Sequence, residues 1–410
     1  MTDTPAPVAD RDRIASLDVL RGLGIMGILM VNAAFFALPW TIVLDPRLSG
    51  LPWDAEALTA WRVTHVFFEM KWVTLFSMLF GVSLYLVGGD GSDPARNRVA
   101  ASRLKWLLLF GLIHGALIWA GDILLHYAVV GFAMLLCRGM RPKALLLWGG
   151  GLVAVMGLAA ISSTLNPGSI PPEMRGHAWV HDNDLLGATV RAYQDGLPSA
   201  MLVNAITWLV MALGGLFSGG LQTFGLMMIG LALYKLGVLQ GRRSALFYAA
   251  WVAAGAVSLG LIWLQSGETI RRDFDLLYSS GVGMAANWFL SPVVSLGYAS
   301  LAILLLKTPL APLLRLTVGA VGRMAFSNYI AQSLIMTTIF WGGRGLGLFG
   351  TMNRDEWVPI VLAIWAAQLV WSPLWLAVAR YGPLEWLWRR LSYKRPLPLL
   401  RRSEPVLAAA

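Results

Sequence analysis

The chain has 410 residues, of which 57% are hydrophobic and only 13% are charged, and its mean hydropathy is +0.65. Because soluble domains carry about 25% charged residues, this composition excludes a soluble globular protein and indicates an integral membrane protein. The net charge of +10 is explained by basic cytoplasmic loops rather than by nucleic-acid binding, and the single cysteine, Cys137, excludes an intramolecular disulfide.

The apolar runs predict an all-α fold, a polytopic transmembrane helical bundle of about ten spans, because each span needs about 20 residues. Short alternating segments, which would indicate a β-barrel, are absent. The first run follows several arginines, as a secretory signal does, but so many spans come after it that we expect it to be retained. The predicted spans are residues 19–38, 64–88, 104–120, 122–138, 143–163, 219–239, 245–265, 283–306, 321–341 and 357–379.

The loop charges set the predicted orientation. Most Lys and Arg residues lie on one side of these spans, so the positive-inside rule places the N- and C-termini in the cytoplasm. Residues 200–217 are also apolar, but a full crossing there would move Arg242 and Arg243 to the outer side. We therefore expect a re-entrant or interfacial segment there, with an eleventh transmembrane helix as the alternative. Residues 164–199 are expected to form an external loop, and the basic tail after Arg380 to contact anionic lipid.

The stretch FGLIHGALIWAGDILLHYAVVG carries two histidines and a carboxylate in an apolar setting. Titratable groups at membrane depth are costly and usually face the protein interior or a water-filled cavity. His114 lies between Gly111 and Gly115, and this spacing of small residues predicts a close helix–helix seam. His126 follows Asp122 by four residues and shares its helix face. The plainer alternatives are a helix N-cap for Asp122 and a structural hydrogen bond for His114.

Other titratable residues are predicted near the outer side. His65 and Glu69 share a helix face near Lys71, at the outer end of the second span. His177 and His181 lie in the long external loop, where this spacing is only a weak indication of a metal ion. We therefore predict no metal site.

Two polar stripes run along the first and third predicted spans. Arg21 and Asn32 are eleven residues apart, which returns to nearly the same helix face about 16 Å further along. Arg103 and His114 have the same spacing. Such stripes would line a passage from a basic cytoplasmic mouth to the outer half of the membrane, although arginines at inner helix ends are expected in any membrane protein.

The C-terminal half offers fewer chemical groups. Asn328 and Gln332 lie on one helix face, and their expected role is hydrogen bonding between helices. No nucleotide-binding glycine motif, zinc-protease motif or GxSxG motif is present.

Five segments together resemble the YeiB-like family of bacterial inner-membrane proteins, which carry a C-terminal domain of unknown function. The resemblance extends in order over nearly the whole chain. The segments are SLDVLRGLGIMGILMVN, KWVTLFSMLFG, GLIHGALIWAGDILLHYAVVG, GRMAFSNYIAQSL and GPLEWLWRRLSY.

The N-terminal part is also similar to heparan-α-glucosaminide N-acetyltransferases through its LDVLRG…VN helix. This similarity implies acyl-CoA bound from the cytoplasm and an acceptor on the far side, with Asp18, Arg21 and Asn32 as the matching positions. Those enzymes place a catalytic histidine after the matching Asn, whereas residues 33–62 of this chain contain none. If the chemistry is retained, His65, His114 or His126 must supply the base.

These resemblances divide the chain into three parts, of which the two helical regions are expected to form one membrane domain. An acyltransferase-like helical region covers residues 1–165. An external loop and re-entrant segment cover residues 166–218. The C-terminal helical region of unknown function covers residues 219–410.

The first functional hypothesis is a membrane acyltransferase that moves an acyl group from cytoplasmic acyl-CoA, as co-substrate, to a surface glycan or small-molecule acceptor at the outer face. His114 is the expected general base, with Asp122 or Glu69 orienting a histidine and His126 bordering the external mouth. Asn32 is expected to donate to the thioester oxygen. The residues expected to bind CoA are Arg13, Asp18, Arg21, Arg98 and Arg103.

The second hypothesis is a transporter or lipid-handling protein, with protonatable histidines along the substrate path. The shape of the cavity distinguishes the two. A narrow passage with a basic cytoplasmic end favours acyl-CoA, and a wide vestibule that opens alternately to both sides favours transport.

Overall fold

The computed structural model describes residues 13–43, 45–166 and 183–401, and within these ranges it contains helices and no β-strand. Eight of the described helices are long and apolar enough to cross a membrane. These observations confirm the all-α membrane fold.

The helices follow the predicted spans closely. A 3₁₀ turn at Trp40–Val43 follows the first helix, and a helical turn at Leu276–Tyr278 leads through a π-helical turn at Ser279–Gly283 into the helix that begins at Met284. The helices are α1 (Ala15–Ala37), α2 (Ala55–Phe67), α3 (Lys71–Gly88), α4 (Pro94–Leu117), α5 (Leu124–Cys137), α6 (Pro142–Leu165), α7 (Asn183–Gln194), α8 (Leu197–Ser218), α9 (Gly220–Lys235), α10 (Ala245–Arg271), α11 (Met284–Leu305), α12 (Ala311–Leu316), α13 (Val318–Arg323), α14 (Ala325–Phe340), α15 (Arg354–Val378) and α16 (Pro383–Tyr393).

Two predicted spans are broken by local backbone geometry. The span predicted at 64–88 is divided between α2 and α3 because Met70 adopts a left-handed conformation with φ 65°. The span predicted at 321–341 begins earlier, in α13, and is interrupted at Met324, where φ is −111° and ψ is 27°. Such breaks leave backbone N–H groups that need partners from other elements.

The bundle has two chemically different ends. We call the end at which α1 begins the basic end, because Arg13, Arg21 and Arg103 line one cavity there. The other end is called the opposite end. At the opposite end the last residue of α1, Ala37, accepts a hydrogen bond from the Gly350 backbone N–H at 2.8 Å.

The helix α8 lies along the opposite end, although it is long and apolar enough to cross a membrane. Near its start, Asn204 donates to the carbonyl of Gly115 at 2.9 Å, in the last turn of α4. At its other end, a Cβ on Gly219 would lie 3.8 Å from His126 in the first turn of α5. Because α4 ends and α5 begins at the same end of the bundle, both ends of α8 lie there. This agrees with an interfacial segment at 200–217.

Close backbone contact fixes α1 against α13. A Cβ on Gly22 would lie 2.1 Å from the Val318 carbonyl oxygen, and a Cβ on Gly322 would lie 1.8 Å from the Asp18 carbonyl oxygen. Each helix therefore needs glycine where it meets the other, as small-residue packing in membranes requires. The contact joins the predicted N-terminal and C-terminal helical regions.

The predicted interhelical hydrogen bonds are also present. Gln332 donates to the Ile25 carbonyl at 3.3 Å and to Gln368 at 3.1 Å, so it links α14 to α1 and α15. Asn328 donates to the Ser372 hydroxyl at 3.1 Å, also on α15. These hydrogen bonds fix the rotation of α14 about its own axis.

The predicted seam at Gly111 and Gly115 is confirmed, but it involves two neighbours. A Cβ on Gly111 would lie 2.3 Å from the Leu125 backbone nitrogen of α5. A Cβ on Gly115 would lie 1.9 Å from the Trp208 indole nitrogen of α8. The first neighbour is backbone and cannot rotate away, whereas the second is a side chain.

We expect Gly111→Leu to destabilise the protein by about 3 kcal/mol, because the new side chain must displace the α5 backbone. Gly115→Leu should cost less. The folded yield of each variant can be measured by size-exclusion chromatography of detergent extracts. The control is Gly151→Leu on α6, where a new Cβ has nothing within 4 Å. Equal yields of the Gly111 and Gly151 variants would contradict this account of the seam.

Candidate functional site

A cavity of about 230 Å³ between α1, α3, α4, α5, α14 and α16 extends from the basic end, at Arg13, to the start of α5, at Ile123 and Leu124. We call it the basic-end cavity. Its charged lining residues are Arg13, Asp18, Arg21, Arg103, Arg323, Glu385 and Arg389, and its apolar and aromatic lining includes Phe76, Phe80, Leu107, Tyr127, Phe326 and Tyr329. Five arginines against two carboxylates make the lining strongly positive, so the cavity favours an anion with an apolar extension.

Asp18 organises the arginines of α1. Its two carboxylate oxygens accept from Arg13 at 2.9 and 2.8 Å, and one of them also accepts from Arg21 at 3.1 Å. Arg21 donates in addition to the Ser83 hydroxyl of α3 at 2.9 Å. One carboxylate thus positions two guanidinium groups, and the predicted cluster of Arg13, Asp18, Arg21 and Arg103 is brought together at one cavity.

The C-terminal helix α16 closes one side of this cavity, whereas the sequence suggested only lipid contact for this tail. Trp388 donates to the Arg103 carbonyl at 2.9 Å, and the Arg103 guanidinium lies 3.9 Å from the centre of the Trp388 ring. Arg389 lines the cavity one residue later. The amphipathic pattern of PLEWLWRRLSY could have identified this helix, because apolar residues recur on one of its faces.

Glu385 joins α16 to the start of α14. Its carboxylate accepts from the backbone N–H groups of Phe326 at 2.7 Å and Ser327 at 3.1 Å, and from the Ser327 hydroxyl at 2.5 Å. It therefore satisfies the donors that the break at Met324 leaves free. Burial raises the pKa of the Glu385 carboxyl above its usual value, against the opposing effect of these hydrogen bonds.

His114 is the centre of a buried chain of three side chains. Its Nδ1 lies 2.8 Å from Asp122 Oδ1, and its Nε2 lies 2.9 Å from the Ser333 hydroxyl of α14. The His114 and Asp122 side chains are 1% and 0% exposed. With the Nδ1 proton directed to the carboxylate, Nε2 can accept the Ser333 hydroxyl proton, for which the Tyr329 carbonyl at 3.2 Å is the other acceptor. This is the order of groups in a Ser–His–Asp triad.

Asp122 also has the plainer role that the sequence offered. Its carboxylate accepts from the backbone N–H groups of Leu124 at 3.1 Å and Leu125 at 2.8 Å, at the start of α5. The cap and the histidine contact use the same side chain. Ser333 was missed in the sequence, because a serine in an apolar helix gives no signal until its partner is known.

His114 does not itself line the basic-end cavity. Its ring lies 5.0 Å from the ring of Tyr329, which does line the cavity. Ile123 and Leu124, beside Asp122, line the same region. The Asp122–His114–Ser333 chain therefore lies one layer of side chains behind the inner end of the cavity.

Two predicted site residues lie elsewhere. No hydrogen bond joins Asn32 to His114, and Asn32 is half-buried outside the basic-end cavity. Ile25 is the last α1 residue in that lining, and Asn32 is about 10 Å further along the helix. Arg98 is exposed on α4. It lies about 140° around the helix from Arg103, because each residue turns the helix by about 100°.

The remaining titratable residues occupy separate places. His126 Nε2 lies 2.9 Å from the Thr223 hydroxyl of α9. His65 Nδ1 lies 2.7 Å from Glu69 at the opposite end, where both line a second cavity. His177 and His181 lie outside the described residues. Within the described part of the chain, no group of three or more His, Cys, Asp or Glu residues is placed to hold a metal ion.

A family model described as "Protein of unknown function (DUF418)" matches residues 233–395. The chain is 32% identical to "Uncharacterized protein YeiB" of Escherichia coli (strain K12), over 96% of this chain and 99% of that protein. It is 31% identical to "Uncharacterized protein YxaH" of Bacillus subtilis (strain 168), over 97% of this chain and 98% of that protein. No solved structure matches the chain.

Proposed function

The chain belongs to the YeiB-like family, and from its basic-end cavity we propose that it is a membrane acyltransferase that takes its acyl group from acyl-CoA. The observation that carries the proposal is the placement of this cavity. Its lining is rich in arginine, and its inner end lies against the Asp122–His114–Ser333 chain. Acyl-CoA has the matching order of parts, with phosphates at one end and a thioester at the end of a flexible arm.

The arginine-lined end of the basic-end cavity offers suitable partners for the phosphates and the purine ring of CoA. Guanidinium groups bind phosphate through paired hydrogen bonds, and Arg13 and Arg21 are already held in position by Asp18. Trp388 also lines the cavity, with the Arg103 guanidinium over its ring. An indole and a guanidinium plane are both stacking surfaces for a purine ring. Phe76, Phe80 and Leu107 give the deeper cavity an apolar wall for the arm that carries the thioester.

In this proposal the acyl group moves in two balanced steps. The Ser333 oxygen attacks the thioester carbonyl, His114 Nε2 takes the serine proton, and the C–S bond breaks as the CoA sulfur leaves with that proton. An acceptor hydroxyl or amine then attacks the serine ester and gives its proton to His114, which returns it to Ser333. The Asp122 carboxylate stabilises the imidazolium formed in each step. Tyr329 must turn aside to admit the thioester.

Transport is supported less well by the same geometry. Among the residues that the structure describes, none lines both the basic-end cavity and the cavity at the opposite end. A transporter is expected instead to have a wide vestibule that opens alternately to the two sides of the membrane. A cavity of about 230 Å³ with arginines at one end favours the acyl-CoA hypothesis instead.

We further propose that the protein lies in the bacterial inner membrane with the basic end in the cytoplasm, where acyl-CoA is found. The concentration of arginines at that end supports this orientation. The acceptor, a surface glycan or a small molecule, would then be reached from the opposite end.

Orientation can be tested with single cysteines in a Cys137→Ala background. Ser92 follows α3 at the basic end, and Thr351 precedes α15 at the opposite end; both are exposed. We expect a membrane-impermeant maleimide to label Thr351→Cys in intact spheroplasts, and Ser92→Cys only after permeabilisation. Labelling of Ser92→Cys in intact spheroplasts would reverse the proposed orientation.

His114→Gln should preserve folding and abolish acyl transfer. Glutamine retains a donor and an acceptor for Asp122 and Ser333, but it cannot take a proton near neutral pH. We expect CoA release from acetyl-CoA to fall about a thousandfold or more. Free thiol can be measured with a chromogenic disulfide, and acyl-enzyme by intact mass.

The matched control for this test is His126→Gln, which alters a histidine bonded only to Thr223 among the residues described. It should retain activity, while Ser333→Ala should lose the acyl-enzyme. Full activity of His114→Gln would remove the catalytic role. Loss of folding in this variant alone would assign His114 to the helix seam.

Glu385→Ala tests whether α16 completes the cavity. The change leaves buried N–H groups of α14 without an acceptor, so we expect a loss of roughly 1–3 kcal/mol in stability and weaker binding of CoA. Glu385→Gln should lose less, since one acceptor oxygen remains. Tryptophan fluorescence during thermal unfolding gives the stability change. The control Glu56→Ala removes an exposed carboxylate of α2, and equal effects of the two alanine variants would count against this role.

A further inference from the structure

A second cavity, of about 160 Å³, lies at the opposite end of the bundle. We call it the opposite-end cavity. It is bordered by α1, α2, α10, the π-helical turn and the start of α15. The acyl-transfer proposal makes no use of it, and its lining has a different chemistry.

Arg354 is the decisive residue of this cavity. It is the first residue of α15, it is only 6% exposed, and it lines the cavity. Its Nε has no hydrogen-bond partner, and no described residue forms an ion pair with its guanidinium. A buried guanidinium whose Nε–H lacks an acceptor is unfavourable, and the charge of Glu69 offsets this cost only in part. An anion in the cavity would remove this cost.

A second donor faces the same space. The Ser279 hydroxyl is buried without a hydrogen-bond partner, and Ser279 lines the cavity from the π-helical turn. Serine hydroxyls and guanidinium groups are common partners of phosphate and carboxylate oxygens. Two unsatisfied polar side chains from distant segments therefore converge on one volume.

The nearby Glu69 carboxylate attracts Arg354 electrostatically but forms no hydrogen bond with it. Glu69 lines the cavity, but it is bonded to His65 Nδ1 at 2.7 Å. Lys71, two residues further on, is fully buried and donates to the His65 carbonyl at 2.8 Å and to Asn287 at 2.5 Å. Lys71 and Glu69 are thus engaged with partners of their own, and the Arg354 Nε–H remains without an acceptor.

Unusual backbone geometry surrounds the cavity. Phe274 lines it with φ 56°, and its neighbour Asp273 has φ 52°. Met70, which follows Glu69, has φ 65°. The π-helical turn at Ser279–Gly283 also borders the cavity. Strained residues and π-turns cluster at functional sites, because packing elsewhere must hold them in place.

The remaining walls are aromatic and apolar. The Trp61 ring is stacked on His65 at 5.0 Å and meets Phe274 edge-on at 4.9 Å. Val31 and Phe35 of α1 supply the facing wall. A ligand would therefore place an anionic group at Arg354 and a ring or apolar part against these side chains.

We propose that the opposite-end cavity binds an organic anion, whose phosphate or carboxylate group is held by Arg354 and Ser279 and whose ring or apolar part packs against Trp61 and Phe274. The proposal does not rest on acyl transfer. The same chemistry is offered by a soluble anion and by the headgroup of an anionic lipid.

The test uses thermal unfolding of the full-length protein in neutral detergent. The probes are benzoate, glycerol 3-phosphate and dioctanoylphosphatidylglycerol, each compared with chloride at equal ionic strength. We expect at least one probe to raise the unfolding temperature of the wild type in a saturable manner, as ligand linkage requires. Response to the lipid alone assigns a headgroup, and response to benzoate or glycerol 3-phosphate assigns a soluble anion.

Arg354→Gln should remove the saturable response. A change in the unfolding temperature of the unliganded variant would report the lost attraction to Glu69, and it is measured separately from the response to the probe. The control Arg271→Gln removes an exposed arginine, 77% of whose side chain is accessible, from the same end of the bundle. It should respond as the wild type does. Ser279→Ala, which keeps the guanidinium, should raise the half-saturating concentration about tenfold.

Three results would overturn the proposal. One is an unchanged response in Arg354→Gln, which would place the anion at the arginines of the basic-end cavity. Another is the absence of a saturable response to every probe in the wild type. The third, decisive if Arg354→Gln does not fold, is an unchanged half-saturating concentration in Ser279→Ala.

Discussion

A single side chain, the Asp122 carboxylate, links three helices of this structure. It caps the first turn of α5 through two backbone N–H groups and holds His114 of α4, which in turn contacts Ser333 of α14. Inside an apolar bundle no water replaces a lost partner, so these bonds must be satisfied together. The inner end of the basic-end cavity depends on this arrangement, because Ile123, Leu124 and Tyr329 all lie beside it.

The sequence predicted well those features that depend on one segment. Long apolar runs predicted where the helices lie. Gly111 predicted a close helix–helix contact, because a small residue lets a neighbouring backbone approach. The cluster of Arg13, Asp18 and Arg21 was predictable for the same reason, since all three belong to the start of α1.

Features that need partners from distant segments could not be predicted in this way. Ser333 becomes a candidate only when α14 is placed beside His114, and Arg354 becomes unusual only when its surroundings lack an acceptor. Asn32 lies about 10 Å along α1 beyond Ile25, the last α1 residue of the basic-end cavity. Helix periodicity predicts which face a residue occupies, but not the depth at which a partner helix lies. Arg98 was assigned by its charge, although its position on α4 turns it outward.

The attachment of α16 to the start of α14 has a consequence for the order in which the protein is made. Glu385 is 59 residues beyond Phe326, whose backbone N–H it accepts. During synthesis α14 must therefore enter the membrane with its first turn uncapped, and it stays so until α16 has left the ribosome. The basic-end cavity is completed only when α16 packs against it, so a chain not yet synthesised that far carries its arginines without the wall that encloses them.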